Sequence, residues 1–495
     1  MGSSYQKFAK GVVIIGITNL LLLFLGGLIL LPLLTKTLGA RDYGIWAQVD
    51  VTIQLVLVIA GLGLPFALSR FLAAETDKVK LQEGFYSAFT IVTLVTLAAS
   101  ILLIVLAEPI AKAFFEGMTE IVRITSLIIL VWSLDIMFLS MFRARLQMLN
   151  YGIFMIATKF GEIGLIAYFV LNGHGILSVV LCVLAIRTLI LLILFFLVKS
   201  QVGIKRPRFC NTREYLSFSL PLVPNSVFAW LVSSSDRYVI GYFLGAASVG
   251  VYSAGYALGV IPATFAVVLA FVLSPTLSKL YDEGKNSEVK TYLSYSLKYY
   301  LALAIPFVFG ALVLAEPALR LFTTAEIASQ GYFVVPLVAL GVLFLGAYGV
   351  IGHILVLVKR TKIMALVWVI AAVANLGLNI ALVPHLGILG AAIAVLVAYL
   401  LTLGIGSYYS FKELTFTIDW RFILKSLVAS AMMALIIWSM QPETSLSVIA
   451  AVLVGVAIYV VALFLMRGFR KEEVSFFRGL VQRGDPAVNS DDKAK

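Results

Sequence analysis

The chain predicts an all-α integral membrane protein of about fourteen transmembrane helices, and three observations predict it. The first is composition: 61% of the 495 residues are hydrophobic and 13% are charged, against about 45–50% and about 25% in soluble domains. The second is charge alternation. Fourteen apolar stretches are long enough to cross a bilayer, and the connections between them are alternately basic and nearly uncharged. One set of connections, with both termini, carries 29 of the 37 Lys and Arg; the other carries five, and Lys159, Arg187 and Arg237 fall inside spans. Lys and Arg concentrate on the cytoplasmic side, so both termini are expected there. The third is an internal repeat. LGARDYGIW (Leu38 to Trp46) returns as LGAASVGVY (Leu244 to Tyr252) at an offset of 206. AEPIAKAFF (from Ala107) returns as AEPALRLF (from Ala315) at 208, and GIL (from Gly175) returns from Gly387 at 212. Three matches in order at near-constant offset mark a duplication. Six spans per copy is an even number, so both copies enter from one side and the symmetry axis lies along the membrane normal.

The expected spans are 12–34, 45–68, 86–106, 122–142, 152–171, 176–198, 216–243, 250–275, 296–315, 331–357, 363–383, 387–408, 423–440 and 446–466. About 20 residues cross the hydrocarbon core at 1.5 Å per residue. The first span is too long for a signal-peptide core. The second contains Gly61-Leu62-Gly63-Leu64-Pro65, a bend candidate because it combines both helix breakers. The fourth and seventh carry charges that weaken their hydropathy, and the seventh also holds Pro221 and Pro224. The thirteenth and fourteenth lie outside the repeat. The expected organisation is a first lobe over 1–199, a second over 200–409, two appended helices over 410–466 and a basic cytoplasmic tail over 467–495. That tail reads either as an amphipathic helix on the inner leaflet or as a solvated cap.

Several function classes drop out. The net charge of +12 sits on cytoplasmic loops, so it speaks for orientation and anionic lipid, not for nucleic acid. A phosphate-binding GxxxxGK[ST] loop and a nucleophile elbow are both missing from the sequence. No hydrophilic stretch is large enough for a catalytic domain. His174, His353 and His385 stand apart from other ligand types, so no metal or other cofactor is expected.

Charges inside spans are costly and usually face a wet cavity or each other. Arg187 lies about eleven residues from either end of span 6, beyond easy reach of the interface. Asp135 of span 4 sits at similar depth and is its candidate ion-pair partner. Lys159 and Glu162 stand at i,i+3 on span 5 and can pair on one helix face; Lys159 either meets an incoming headgroup or snorkels, and Glu162 is a candidate for a coupling proton. Asp236 and Arg237 are adjacent in span 7 and are expected on different faces. They read either as a gate between lobes with Asp50 of span 2, or as a brace within one lobe. Asn19 of span 1 and Asn225 of span 7 complete the candidate cavity set. Trp46 and Tyr252, at matching repeat positions, are candidates for stacking on sugars.

LGARDYGIW, SSSDRYVIGYFLGAASVGVYSAGYAL (Ser233 to Leu258) and NLGLNIALVPHLGILGAAIA (Asn375 to Ala394) together resemble the polysaccharide flippase family of the multidrug/oligosaccharidyl-lipid/polysaccharide (MOP) exporter superfamily. The resemblance covers nearly the whole chain. It implies two lobes around a V-shaped cavity and movement of lipid-linked oligosaccharide from the inner to the outer leaflet of the plasma membrane. It places the Asp236–Arg237 pair at a characteristic position. Glycan polymerases and glycosyltransferases of the same pathway would be its partners. A polyprenyl-diphosphate-linked sugar brings a phosphate anion into the low-dielectric middle of the bilayer, and the bidentate fork of Arg187 suits phosphate oxygens. With no ATP site, energy would come from an ion gradient, the membrane potential or removal of product. Two rivals remain: a cation-coupled multidrug exporter of the same superfamily, against which Asn19 in place of an acid speaks, and a polytopic glycan-processing enzyme.

Overall fold

The computed structural model describes residues 16, 18–19, 21–22, 25–73, 75, 77–209 and 211–469. Every regular element among them is helical: a π-helical segment, Leu25–Leu30, and twenty α-helices. The first half comprises α1 (Leu31–Ala60), α2 (Leu64–Phe71), α3 (Lys78–Val105), α4 (Ala107–Phe114), α5 (Thr119–Ala144), α6 (Met148–Leu171) and α7 (Ile176–Val202). The second half comprises α8 (Thr212–Ser219), α9 (Leu222–Ser234), α10 (Asp236–Leu244), α11 (Ala246–Gly259), α12 (Pro262–Asp282), α13 (Asn286–Phe322), α14 (Ala325–Gly331), α15 (Val334–Ile351), α16 (His353–Leu357), α17 (Thr361–Leu386) and α18 (Ile388–Glu413). The appended helices are α19 (Trp420–Met440) and α20 (Ser445–Leu465).

Twelve helical segments are long and apolar enough to cross a membrane, or thirteen if the bent pair α11–α12 forms one span. The remaining expected span, 12–34, lies partly outside the described residues, and the tail from 470 lies wholly outside them. Two of the expected spans are interrupted. Span 7 is not one helix but three pieces, α8, α9 and α10. Pro221 lies between α8 and α9, where it supplies no N–H. The Ser235 hydroxyl, at the break between α9 and α10, donates to Leu231 O at 2.6 Å. Span 8 bends by 51° between α11 and α12, where Pro262 occupies the first turn of the new helix. The connection after Ala107 holds a short helix, α4.

The duplication is visible in the backbone. Gly39 (φ 78°, ψ −176°) interrupts α1, and Gly245 (φ 83°, ψ 174°) precedes α11. The two are 206 residues apart, the offset of the sequence repeat. Residues with a Cβ rarely adopt such φ values, so each copy turns at the same glycine. Past those turns the two copies cross. A Cβ placed on Gly44 would lie 1.8 Å from Ala246 O, and one on Gly250 would lie 1.9 Å from Ala40 O. Ala40 and Ala246, and Gly44 and Gly250, are again 206 apart. The contact is therefore reciprocal about the pseudo-two-fold axis, with small residues four apart letting the backbones touch.

The hydrophobic cores report how the halves sit. Leu34, Ile45, Val49, Val251, Ala254 and Leu319, drawn from both halves, belong to one continuous core at the low-charge end of the bundle. Toward the basic end the cores separate. Leu68, Phe85, Phe142 and Leu194 fill the first half, while Leu277, Leu293, Tyr300 and Ile354 fill the second. The linker between halves is tied to the first. Lys205 and Arg208 reach Glu83 at 2.8 and 3.4 Å, and Tyr86 donates to Gly203 O at 2.7 Å. The appended helices α19 and α20 pack on α13, through Ala302, Leu314, Ala429 and Ala451.

Candidate functional site: a charged slot and the seam beside it

Three helices of the first half bring the intramembrane charges together. Arg187 on α7 meets Glu162 on α6 at 2.8 Å and Asp135 on α5 at 3.9 Å. Its guanidinium carbon lies 3.1 Å from the centre of the Trp132 ring. Lys159, one turn before Glu162, reaches the other oxygen of that carboxylate at 3.5 Å. Glu162 thus stands between two cations. Sequence spacing pairs it with Lys159; packing of α6 against α7 makes Arg187 its nearer partner. Among the described residues neither oxygen of Asp135 has a hydrogen bond, nor has Nε of Arg187, so the cluster keeps unused polar capacity.

The cluster closes the deep end of a cavity of about 450 Å³. Trp132, Asp135, Leu139 and Arg143 line it on successive turns of α5, a rise of about 16 Å. It is therefore a slot running from the basic end of the bundle to its middle. Arg143 stands at the mouth, Lys159 along the wall and Arg187 at the inner end. The lining carries those three cations and the carboxylates of Asp135 and Glu162, so it holds both signs and is not purely cationic. Of the candidate asparagines, Asn19 is exposed and lies one turn before Leu22, which lines the slot; Asn225 is half-buried on α9. Neither lines the slot itself.

The second half carries a matching polar cluster. Arg237 turns back on its neighbour: its Nη1 lies 2.7 Å from Asp236 Oδ1 and 2.7 Å from Ser233 O. Adjacent positions were expected on different faces. The break before α10 and the length of the Arg side chain let the two groups meet. The other oxygen of Asp236 accepts from the Tyr252 hydroxyl, and the guanidinium lies 4.0 Å from the Tyr256 ring centre. Tyr252 is fully buried, so it braces Asp236 and has no face free for a sugar. Asn375 and Asn379 are fully buried on α17 beside Ser235. They are polar residues at i,i+4 inside a span, a signal present in the sequence but masked there by the motif that contains them. The repeat offsets tie the two clusters together: Asp50 corresponds to Tyr256 at 206, and Arg187 to Tyr399 at 212.

Asp50 lies between the clusters. It accepts a hydrogen bond from Gln54 at 2.6 Å and is within electrostatic reach of Lys159, Glu162, Arg187 and Arg237. No ion pair joins Asp50 to Arg237 among the described residues. The seam between the halves is instead closed by neutral contacts. Thr52 and Tyr238 share a hydrogen bond of 2.6 Å, Phe114 meets Tyr238 edge-on at 5.1 Å, and the Gln48 amide lies against Gly241. Nearer the low-charge end, Thr35 and Lys36 donate to Phe322 O and Leu321 O at 3.1 and 2.7 Å. Glu116 binds Arg41 at 2.5 Å and accepts from the N–H of Ala246. Among the described residues no cluster of His, Cys, Asp and Glu is arranged to hold a metal ion.

A duplicated, all-helical bundle whose halves touch at one end, with charges gathered at mid-depth, defines the class: a two-lobed polytopic membrane protein. The chain belongs to the polysaccharide biosynthesis protein family, whose model matches residues 33–329. It is 22% identical over 422 residues, 85% of this chain and 87% of the relative, to the probable low-salt glycan biosynthesis flippase Agl15 of Haloferax volcanii. It is 27% identical over 301 residues, 58% of this chain and 57% of the relative, to the succinoglycan biosynthesis transport protein ExoT of Rhizobium meliloti. Its fold matches the lipid II flippase MurJ in an inward closed conformation, with a TM-score of 0.77 and 20% identity over 94% of this chain and 99% of that one. It also matches an inward-facing multidrug resistance MATE transporter, with a TM-score of 0.65 and 13% identity over 79% and 93% of the two chains.

Proposed function

We propose that this protein is a flippase that carries a lipid-linked oligosaccharide, joined through a polyprenyl diphosphate, from the cytoplasmic to the outer leaflet of the plasma membrane for surface polysaccharide synthesis. The observation that carries this reading is the slot, in which three cations are stepped from headgroup depth to the bilayer middle. An anion entering it passes from Arg143 to Lys159 to Arg187 without crossing bare hydrocarbon. At the inner end a phosphate competes with the carboxylates already there. A diphosphate carries more charge than Glu162 and fits the guanidinium fork, so it displaces the Glu162 carboxylate from Arg187; protonation of Glu162 favours the same exchange. The displaced acid lies near Asp50, which is also within reach of Arg237 in the other lobe. In this mechanism Asp50 with the Asp236–Arg237 pair reports slot occupancy to the seam, the seam opens, and the lobes rock apart at the low-charge end. The lobes correspond to 1–199 and 200–409. Glycosyltransferases supply the substrate and a glycan polymerase consumes it.

Two measurements test this. Purified protein in liposomes is expected to move a fluorescent lipid-diphosphate sugar between leaflets without ATP. Export of cationic dyes with the lipid-linked sugar left in place would select the drug-exporter reading, to which the acids of the slot would then belong. Orientation is tested separately, in a background lacking Cys182 and Cys210. An impermeant thiol reagent on whole cells should label a cysteine at Ser248 and spare one at Ser200. The reverse pattern would invert the direction of transport assigned here.

A further inference from the structure

A second cavity lies apart from the slot. It measures about 780 Å³ and opens at the basic end, between the start of α13 and the segment leading into α19. Lys290, Lys298 and Arg421 line it, with Asp419 as its one carboxylate. Lys298 is 95% buried, lies 3.8 Å from Asp419 and sits over the Phe422 ring at 4.9 Å. Asp419 is otherwise engaged as the helix cap of α19, accepting from the Phe422 N–H at 3.0 Å. Lys290 and Arg421 have no ion-pair or hydrogen-bond partner among the described residues. The cavity therefore holds two unpaired cations and a net positive charge.

Its rim is apolar. Trp420 is 70% exposed and Leu424 is 64% exposed, both on the outward face of α19. A tryptophan at the first residue of a membrane-spanning helix marks the headgroup level. Cations inside and an apolar rim continuous with the lipid-facing surface fit a molecule with an anionic head and acyl chains. We infer that this cavity binds the phosphate headgroup of an anionic membrane lipid, with the acyl chains lying along α19. The site is independent of the transported substrate and would fasten the appended helices to the membrane face of α13.

Native mass spectrometry of the full chain in neutral detergent tests the inference, with dioleoyl phosphatidylglycerol, dioleoyl phosphatidylcholine and inorganic phosphate as separate probes. The intact protein should retain phosphatidylglycerol in preference to phosphatidylcholine. Lys290→Gln with Arg421→Gln should weaken that adduct by about fivefold for each charge removed. Lys359→Gln with Lys362→Gln, which removes two exposed cations from the same end of the bundle, should leave it unchanged. Unchanged elution volume and melting temperature establish that both double variants are folded. Equal retention of the two lipids, or equal loss in both double variants, would overturn the site. Binding of inorganic phosphate with the same dependence on Lys290 and Arg421, without retention of phosphatidylglycerol, would overturn the lipid assignment.

Discussion

Arg187→Ala is expected to reduce transport of the lipid-diphosphate sugar by at least about 30-fold, the equivalent of the roughly 2 kcal/mol at the low end for removing one partner of a buried charge pair. It also leaves Asp135 without its cation, while Glu162 keeps Lys159, and breaking a buried pair from one side costs about 3–5 kcal/mol. Loss of transport by this variant alone would therefore not separate binding from folding. The double variant Arg187→Ala with Asp135→Asn does. It removes the stranded charge, so its melting temperature should recover toward that of the unmodified protein while its transport stays low. Arg187→Lys should retain partial activity, because the charge remains and the planar fork is lost. Transport at the unmodified rate by the stable double variant would remove Arg187 from substrate binding.

The second large effect concerns the reciprocal glycine contact. In Gly250→Leu a branched side chain must occupy the space where Ala40 O lies 1.9 Å from the nearest Cβ position. No rotamer relieves this, since the obstacle is backbone. Overpacking in well-packed cores costs about 1–3 kcal/mol, and here two helices must separate along the contact that joins the halves. The melting temperature should fall, and transport should be lost because the low-charge end cannot close. Gly44→Leu should do the same by symmetry. Gly377→Ala and Gly404→Ala meet nothing within 4 Å, so they should leave stability within about 1 kcal/mol of the unmodified protein, the scale of the helix-propensity difference. Normal melting and transport by Gly250→Leu would show that the contact opens freely and that the seam is not the closing element.

Helicity, the spans and the twofold repeat were legible in the sequence because each rests on a local or periodic signal. An apolar run of about 20 residues must hydrogen-bond its own backbone in lipid, and a duplicated turn keeps its glycine. Gly39 and Gly245 could be aligned before any coordinate was known. The existence of intramembrane charges was legible for the same reason, since each is an exception in an apolar run. Their partners were legible only in part: Arg187 with Asp135 and Lys159 with Glu162 were, Arg187 with Glu162 was not. Lys159 and Glu162 are neighbours by spacing, but Glu162 lies closer to Arg187 on the next helix, and that distance depends on how α6 rotates against α7. Asp236 and Arg237 fold onto each other because a helix break falls just before them, at a serine no different in sequence from the two that precede it.

The sequence by itself determined an all-helical membrane protein, built twice, with cations and acids at mid-depth. Those properties follow from composition, from period and from the cost of burying charge in lipid. Only the tertiary structure decided that the charges form a slot of mixed sign, that neutral Thr52–Tyr238 and Gly44–Gly250 contacts close the seam, and that the cores of the two halves merge at one end and part at the other. Such contacts join residues as far as 287 positions apart. They are set by helix rotation and crossing, which short-range patterns do not encode.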